Sequence, residues 1–130
     1  MRYVIVGNSA AGLSAAKAIR TIDRSGDITV VSEEQGWGYS RIFLPDLIKN
    51  RITESQLFSH GPDWYRIRKI VLRADCKIIK MDRQSRFAQT ASGEKLYYDR
   101  LLIATGSQAE QPNLAGIGLS GVFPLRTILD

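Results

Sequence analysis

The sequence predicts an α/β fold that combines a parallel sheet with a three-stranded antiparallel meander. Three observations carry this prediction. A strand–turn–helix–strand pattern occupies Arg2 to Glu34, a fully apolar run stands at Leu101 to Ala104, and three short strand-like runs lie between Lys77 and Tyr98. The first two features are typical of parallel strands connected through a helix, and the short runs with tight turns are typical of antiparallel strands.

The first unit occupies the start of the chain. Tyr3 to Val6 is a β-branched and aromatic run, a helical pattern extends from Ala10 to about Arg24, and Ile28 to Val31 is a second β-branched run after a turn at Ser25–Asp27. This length suits a right-handed crossover between parallel strands, so the segment is predicted to form one βαβ unit.

The turn between the first strand and the helix carries a glycine pattern. It matches the dinucleotide fingerprint G-x-G-x-x-G at the first and third glycines, with serine at the second, in the run Gly7, Asn8, Ser9, Ala10, Ala11 and Gly12. In this pattern the glycines permit a sharp turn, close approach of a pyrophosphate, and tight packing of helix on strand. The free N–H groups of the first helical turn supply donors and partial positive charge. The turn therefore predicts a Rossmann-like dinucleotide phosphate site.

Two acidic residues follow the second strand. Glu33 and Glu34 lie roughly 20 residues beyond the turn, where a carboxylate accepts hydrogen bonds from ribose hydroxyls in sites of this type. The alternative is a small-residue turn in an ordinary α/β domain, with both glutamates in solvent.

The length and composition are those of a globular protein of one domain. The 130 residues suit one domain, 44% are hydrophobic and 24% charged, and no apolar run approaches the ~20 residues of a membrane span. The first strand leaves no room for a signal peptide, and the single cysteine, Cys76, cannot form an internal disulfide, so a cytoplasmic location is expected. A lone histidine and cysteine predict no metal site. No membrane partner is expected.

The net charge of +5 includes one basic cluster, formed by Arg66, Arg68, Lys69 and Arg73. It indicates either a surface for an acidic partner or anionic ligand, or a solvated edge, and an interrupting Ile-Val-Leu run favours the solvated edge. No segment resembles a nucleic-acid-binding module, so no nucleic-acid partner is expected.

The middle of the chain is less regular. A short helix is predicted from Arg41 to Lys49 after a glycine-spaced aromatic loop, and a second from Trp64 to Lys69. Arg41 at the first helix start either faces a phosphate or forms an ion pair with one of the two glutamates. Residues 52–64 are predicted to be irregular or weakly helical, and His60, beside a Gly-Pro break, is expected to be an exposed loop residue.

The remaining strands follow in order. Ile70 to Leu72 is predicted to be a buried strand, and the meander strands are predicted at Lys77–Met81, Arg86–Thr90 and Lys95–Tyr98. The apolar run Leu101 to Ala104 is expected to be a central parallel strand buried on both faces. Because ligands bind at the carboxyl ends of such strands, Thr105 and Gly106 are expected to meet the Gly7 turn at one ligand.

Together these residues resemble the FAD-binding domain of the pyridine-nucleotide-dependent flavoprotein reductases, nearest to the nitrite reductase, rubredoxin reductase and NADH oxidase branch. The matching stretches are Val4–Gly12, Ile28–Glu34, Tyr39–Pro45, Tyr98–Ser107 and Gly121–Thr127. The Tyr-Asp-x-Leu-Leu-Ile-Ala-Thr-Gly stretch is much more specific than the glycine turn.

The resemblance implies a role for each matching residue. The six-residue glycine turn would hold the FAD pyrophosphate, Glu33 would bind the adenosine ribose with Glu34 beside it, and Arg41 would lie near the pyrophosphate or isoalloxazine. The backbone of Ile78 would meet the adenine. Three further residues would close over the dinucleotide: Ala104, Thr105 and Gly106.

Departures from the family pattern limit what is implied. Asp46 lies near the position of a lysine that helps set the flavin's electronics in several relatives, and Ile42 and Phe43 stand where disulfide reductases carry reactive cysteines. Cys76 is expected to be structural. No residue is a candidate for acid–base or nucleophilic catalysis.

Residues 1–130 are therefore expected to be the N-terminal portion of a FAD-binding domain without the NADH domain and C-terminal return. The expected activity of the complete protein is electron transfer from NAD(P)H through FAD to an acceptor. The alternatives are a stand-alone FAD, NAD or ADP-binding module and an interaction domain that has lost its ligand. Expected partners are FAD and either the missing portion, another chain, or a second copy joined through exposed apolar surface.

Overall fold

Two sheets organise the chain, and the computed structural model describes all residues from 1 to 130. In chain order the elements are β1 (Arg2–Val6), α1 (Ala10–Ile22), β2 (Asp27–Val31), a 3₁₀ turn (Arg41–Phe43), α2 (Leu44–Ile48), α3 (Glu54–Leu57), α4 (Pro62–Ile67), β3 (Ile70–Arg73), β4 (Ile78–Asp82), β5 (Phe87–Thr90), β6 (Lys95–Tyr97) and β7 (Arg100–Ile103).

The first sheet is parallel, with strand order β3-β2-β1-β7, and the second is an antiparallel meander, β4-β5-β6. Val4 on β1 lies opposite Thr29 on β2 and opposite Leu101 on β7. The predicted βαβ unit, its parallel sheet and the three-stranded meander are therefore confirmed.

Alternation of side chains along β1 and β2 gives the parallel sheet two apolar faces. One face packs against α1 and α4 through seven buried residues: Ile5, Leu13, Ala16, Ile28, Val30, Tyr65 and Ile70. The opposite face packs against the meander side through Val4, Val31 and Tyr98. Helices therefore cover one face and the meander covers the other, which leaves the carboxyl edge of the sheet open.

Helix α1 ends at Ile22, two residues before the predicted end. Asp23 stops it, because its side chain accepts hydrogen bonds from the backbone N–H groups of Ser25 and Gly26 at 3.1 and 2.8 Å. An aspartate that bonds its own following turn favours a helix end. The turn delivers the chain directly into β2.

The short helices differ from the sequence prediction. The segment predicted as one helix from Arg41 to Lys49 is a 3₁₀ turn followed by α2, and the predicted irregular stretch contains α3, whose capping box joins Thr53 and Gln56. Helix α4 begins at Pro62 rather than Trp64, because proline lacks an N–H that the first helical position does not need. The Gly-Pro pair thus starts a helix.

The prediction that Leu101–Ala104 forms a central strand buried on both faces is wrong. Strand β7 is an edge strand, and Leu102 and Ile103 remain 38% and 57% exposed. The apolar pattern correctly predicts a parallel strand, but the chain supplies no element that covers its outer side.

After β7 the chain continues to Asp130 without a further helix or strand. We call residues 107–130 the C-terminal segment. It is joined to the rest of the molecule by the hydrogen bond from the Ile128 N–H to the Tyr39 hydroxyl and by the packing of Ile128 against Tyr39, Leu44 and Leu57. No helix in the structure is long and apolar enough to cross a membrane.

Candidate functional site

The glycine turn and the end of β7 are in direct backbone contact. Gly7 has a φ of +125°, and a Cβ placed there would lie 2.1 Å from the carbonyl oxygen of Ala104. The Gly7 N–H donates to the carbonyl of Val31 at the end of β2, and the Ala104 N–H donates to Val6, both at 2.8 Å. The ends of β2, β1 and β7 therefore converge on the turn, as the sequence predicts.

Gly12 has a different role, since it allows α1 to lie against the turn. A Cβ at this position would stand 1.9 Å from the Gly7 carbonyl oxygen and 3.3 Å from Ile5 Cγ2. Any side chain at position 12 must therefore move α1 away from β1. Gly12 is buried and lines no cleft, so its contribution to a ligand site is through the packing of the helix.

Ser9 replaces the second glycine of the fingerprint without backbone strain. It is the N-cap of α1, with extended φ and ψ of −126° and −165°, and its side chain makes no capping hydrogen bond. Its hydroxyl is therefore free to face a ligand at the helix start.

A cleft of about 660 Å³ opens at the carboxyl edge of the parallel sheet. We call it the first cleft. Ten of the thirteen predicted cofactor residues line it: Gly7, Asn8, Ser9, Glu33, Glu34, Arg41, Ile78, Ala104, Thr105 and Gly106. Ala10 and Ala11 line a neighbouring cleft, and Gly12 packs beneath the turn. The structure thus brings together residues more than 90 positions apart in the sequence.

The two glutamates after β2 have different surroundings. Glu33 is 67% exposed at the side chain and its Oε1 lies 2.6 Å from Lys77 Nζ. Glu34 is half-buried and accepts hydrogen bonds from the Tyr39 hydroxyl and the Arg41 guanidinium. Both carboxylates are paired, but Glu33 has a single exposed lysine as its partner, whereas Glu34 is held by two partners and is less exposed.

Glu34 is the centre of a network that extends to the C-terminal segment. The Tyr39 hydroxyl, which donates to Glu34, accepts a hydrogen bond from the Ile128 N–H at 3.1 Å. Burial and the bond to Glu34 raise the pKa of Tyr39, so this phenol stays protonated. The Nε of Arg41 is buried and has no hydrogen-bond partner. Arg41 forms the ion pair with a glutamate that was one of the two sequence predictions. It also lines the first cleft, where the other prediction has it face a phosphate.

Tyr65 fixes the floor of the turn from α4. Its hydroxyl donates to Asn8 Oδ1 at 2.8 Å and accepts from the Gly38 N–H at 3.1 Å, and its burial raises its pKa. The phenol therefore ties the glycine turn to the aromatic loop after β2.

A second cleft, of about 630 Å³, lies on the α1 side of the turn. It shares Ser9, Arg41 and residues 104–106 with the first cleft and extends along α1 to Lys17. His60 lines it and stacks on Trp64, with ring centroids 4.3 Å apart. His60 is half-buried rather than exposed as predicted, and burial lowers its pKa, with the charges of Arg68 and Lys17 adding to the shift.

Sequence reasoning missed several residues that line the first cleft. Arg126 is the clearest, because its Nε donates to the Ser107 carbonyl at 3.0 Å and it lines both clefts. Trp37 and Cys76 also line the first cleft, and burial raises the pKa of the Cys76 thiol. No local pattern predicts these positions, since Arg126 reaches the site only through the fold of the C-terminal segment.

The basic cluster of the sequence is dispersed in the structure. Arg66 pairs with Asp63, Arg73 pairs with Glu94, and Arg68 lies over the Trp64 ring. This arrangement agrees with the solvated-edge interpretation.

Comparison with known proteins identifies relatives of this chain. The sequence model of the family described as "Pyridine nucleotide-disulphide oxidoreductase" matches residues 1–130. The "NADH-dependent phenylglyoxylate dehydrogenase subunit epsilon" of Aromatoleum evansii is 34% identical over 99% of this chain and 31% of that protein. The "NADH oxidase" of Methanocaldococcus jannaschii is 32% identical over 100% of this chain and 30% of that protein.

Among solved structures, a NAD-dependent persulfide reductase from A. fulgidus superposes with a TM-score of 0.90 at 29% identity, over 99% of this chain and 25% of that one. The chain therefore spans about a third or less of the length of these proteins.

Proposed function

Because this chain belongs to the pyridine nucleotide-disulphide oxidoreductase family, we propose that it is the FAD-binding portion of an NAD(P)H-dependent flavin oxidoreductase. In the complete activity NAD(P)H would reduce the flavin, which would pass electrons to an acceptor. The observation that carries the proposal is the meeting of the Gly7 turn with the end of β7 at the first cleft, where a Cβ on Gly7 would lie 2.1 Å from the Ala104 carbonyl oxygen.

The chemistry of the first cleft supports an adenine dinucleotide. The N–H groups at the start of α1 and the Arg41 guanidinium are suited to a pyrophosphate, and the buried Arg41 Nε without a partner is a donor available to it. Glu33, exposed at the cleft wall, is suited to ribose hydroxyls. Ile78 offers apolar surface and backbone groups for adenine. All thirteen predicted residues thus lie in or directly beneath the two clefts.

FAD would supply the redox chemistry, and the residues of this chain would bind and orient it. Both clefts share Ser9, Arg41 and residues 104–106, so a dinucleotide whose phosphates lie at the turn would extend from one cleft into the other. Hydride transfer requires donor and acceptor roughly 3–3.5 Å apart, and the chain contains only one glycine turn of this type. We therefore propose that the 130 residues alone do not oxidise NAD(P)H. The remaining polypeptide or a second chain would supply the nicotinamide site.

A second candidate is an adenine-dinucleotide binding module without turnover. It is favoured by one observation: the adenosine side of the first cleft is built from β2 and β4, whereas the β7 side is open and exposes Leu102 and Ile103. A ligand that needs only the adenosine side, such as ADP, would bind the chain as well as FAD does.

Titration of the purified chain with FAD and with ADP separates these functions. The first proposal predicts saturable FAD binding with changed flavin absorbance, and no NADH oxidation with a dye acceptor beyond that of free FAD. Equal affinities for ADP and FAD would favour the second candidate. Absence of binding by both ligands would refute both, and saturable enzyme-dependent NADH oxidation would show that the chain is catalytically complete.

A further inference from the structure

The second cleft has a charge distribution that a neutral or cationic ligand would not match. Its lining includes four basic side chains, Lys17, Arg41, His60 and Arg126, and no aspartate or glutamate. The first cleft, in contrast, contains Glu33, Glu34 and Asp130 among its lining residues. Because burial lowers the pKa of His60, the cations of this lining are Lys17, Arg41 and Arg126, and their excess over carboxylates is specific to the α1 side of the site.

Two of these four basic side chains are already engaged by the protein. Arg41 pairs with Glu34, and the Nε of Arg126 donates to the Ser107 carbonyl. Lys17 takes part in none of the ion pairs of the structure. Neither Lys17 nor Arg126 has a carboxylate partner, and of the cations in this cleft only the Lys17 ammonium has neither an ion pair nor a hydrogen bond to the protein.

The position of Lys17 on α1 directs it to the same side as other polar groups. Ala10, Ser14 and Lys17 follow the three- and four-residue spacing of one helix face, and all three line the second cleft. The buried Leu13 also lines this cleft, and Ala16, on the neighbouring side of the helix, packs into the core against the sheet. Lys17 therefore faces the cleft together with the hydroxyl of Ser14.

An aromatic wall completes this end of the cleft. The His60 and Trp64 rings stack with an interplanar angle of 6°, and the Arg68 guanidinium lies 4.6 Å from the centroid of Trp64. The wall is held in place by these contacts, and it adds a fourth nearby cation. Lys17 and Ser14 are exposed on α1 opposite this half-buried wall, so they can form charge-assisted hydrogen bonds to an anion that lies against it.

We propose that the Lys17 end of the second cleft is a binding subsite for an oxyacid anion, a carboxylate or phosphate, carried by a small molecule. Lys17 and Ser14 bind the anion, and the His60–Trp64 stack forms the wall against which the molecule lies. Its role as the electron acceptor rests on the proposed function, because the subsite shares Arg41 and residues 104–106 with the dinucleotide cleft. The binding of the anion does not depend on that function.

The only histidine of the chain makes the subsite directly observable. The His60 imidazole gives one set of carbon-bound proton resonances, and inorganic pyrophosphate is titrated against it at constant ionic strength, with chloride as the reference salt. The titration is repeated on protein saturated with ADP. The expected result is a saturable shift of the His60 resonances that persists in the presence of ADP. Loss of the shift on ADP saturation would overturn the proposal, because the anion would then be occupying the dinucleotide's own phosphate position.

A matched pair of lysine variants tests the residue assignment. Lys17→Ala removes the unpaired charge from an exposed helical position, where alanine is well tolerated, and is expected to weaken pyrophosphate binding about tenfold. Lys80→Ala removes one exposed charge on β4, outside both clefts, and is expected to leave the affinity within twofold. Equal weakening by both variants would show general charge attraction and overturn the subsite.

The same samples distinguish this inference from the proposed function. If ADP fails to bind while pyrophosphate still shifts His60 in a Lys17-dependent manner, the dinucleotide assignment fails and the anion subsite stands. If ADP binds and His60 does not respond to pyrophosphate, the subsite fails and the dinucleotide assignment stands.

Discussion

The glycine turn and the C-terminal segment meet at one edge of the sheet, yet they are held in opposite ways. The turn is fixed by backbone packing, with Gly7 against Ala104 and Gly12 against Gly7. The C-terminal segment is joined by one hydrogen bond, from the Ile128 N–H to the Tyr39 hydroxyl, and by the packing of Ile128 beside it. The half of the site at the glycine turn is therefore fixed by close backbone packing, and the half formed by the C-terminal segment is attached at Ile128.

We expect a substitution in the tightly packed glycine turn to weaken ligand binding most. Gly12→Val places a branched side chain where even a Cβ would lie 1.9 Å from the Gly7 carbonyl oxygen, so α1 must move away from β1. The N–H groups at its start then no longer point at the phosphate position. We expect loss of ADP binding by more than 100-fold in calorimetry. Gly118→Ala, which adds a Cβ in open space, is the matched control and should bind normally. A folded Gly12→Val protein with unchanged affinity would contradict the assignment of the turn.

The next effect separates the two glutamates. Glu33→Ala should weaken ADP binding by about ten- to a hundredfold, because the lost carboxylate–hydroxyl pair is worth roughly 1.5–3 kcal/mol. Glu34→Ala should change ADP affinity less than about threefold, since Glu34 already binds Tyr39 and Arg41. It should instead speed amide exchange at Ile128, whose N–H depends on Tyr39. Unchanged ADP affinity in both variants would move the ribose contact elsewhere.

The exposed apolar side chains of the edge strand β7 predict that the chain associates with a second copy of itself. Ile103 on β7 and Ile67 on α4 are 57% and 69% exposed, so lysine at either position removes a similar apolar surface. Only Ile103 lies on an edge strand, where other chains can pair with the sheet. Ile103→Lys should weaken dimerisation about tenfold in sedimentation, and Ile67→Lys should not. A wild-type chain that stays monomeric at high concentration would rule out this surface.

The smallest effect is a pH response of the C-terminal segment, which we compare with that of the turn after α1. Backbone N–H groups of Thr127 and Arg126 lower the pKa of Asp130, and that of Gly26 lowers the pKa of Asp23. A carboxylate with a depressed folded pKa stabilises above its ordinary value of 3.8 and loses this contribution as the pH falls through the lowered value.

We therefore expect acid below that value to reduce the exchange protection of the Thr127 amide by less than about tenfold. Asp130→Asn should remove this pH dependence while leaving that of Gly26 intact. A response of both amides to the Asp130 variant would mean that acid acts on the whole fold.

The sequence predicts one half of the site better than the other for a physical reason. Gly7, Gly12 and Glu33 belong to one βαβ unit, so their placement follows from local spacing and strand chemistry. Arg126 and Trp37 reach the first cleft through long loops, whose course depends on contacts that no periodic pattern records. The burial of β7 was wrongly predicted for a related reason. An apolar run indicates a strand whose side chains favour burial, but it does not show whether another element of the chain packs over them.

The short helices α3 and α4 were also poorly predicted from the sequence, because their signals are local and not periodic. The capping box of Thr53 and Gln56 and the Gly61–Pro62 start of α4 are local helix signals, yet both helices are too short to show hydrophobic periodicity. His60 became part of a cleft only because α4 places Trp64 beneath it.

Amide resonances recorded while ADP is titrated into the chain show directly whether the first cleft is the dinucleotide site. We expect saturable shifts confined to the glycine turn, Glu33, Ile78 and residues 104–106, with the outer strand positions of the meander, such as Lys80 and Tyr97, unaffected. Shifts centred on the meander, or no saturable shift at all, would contradict the assignment of the first cleft as the dinucleotide site.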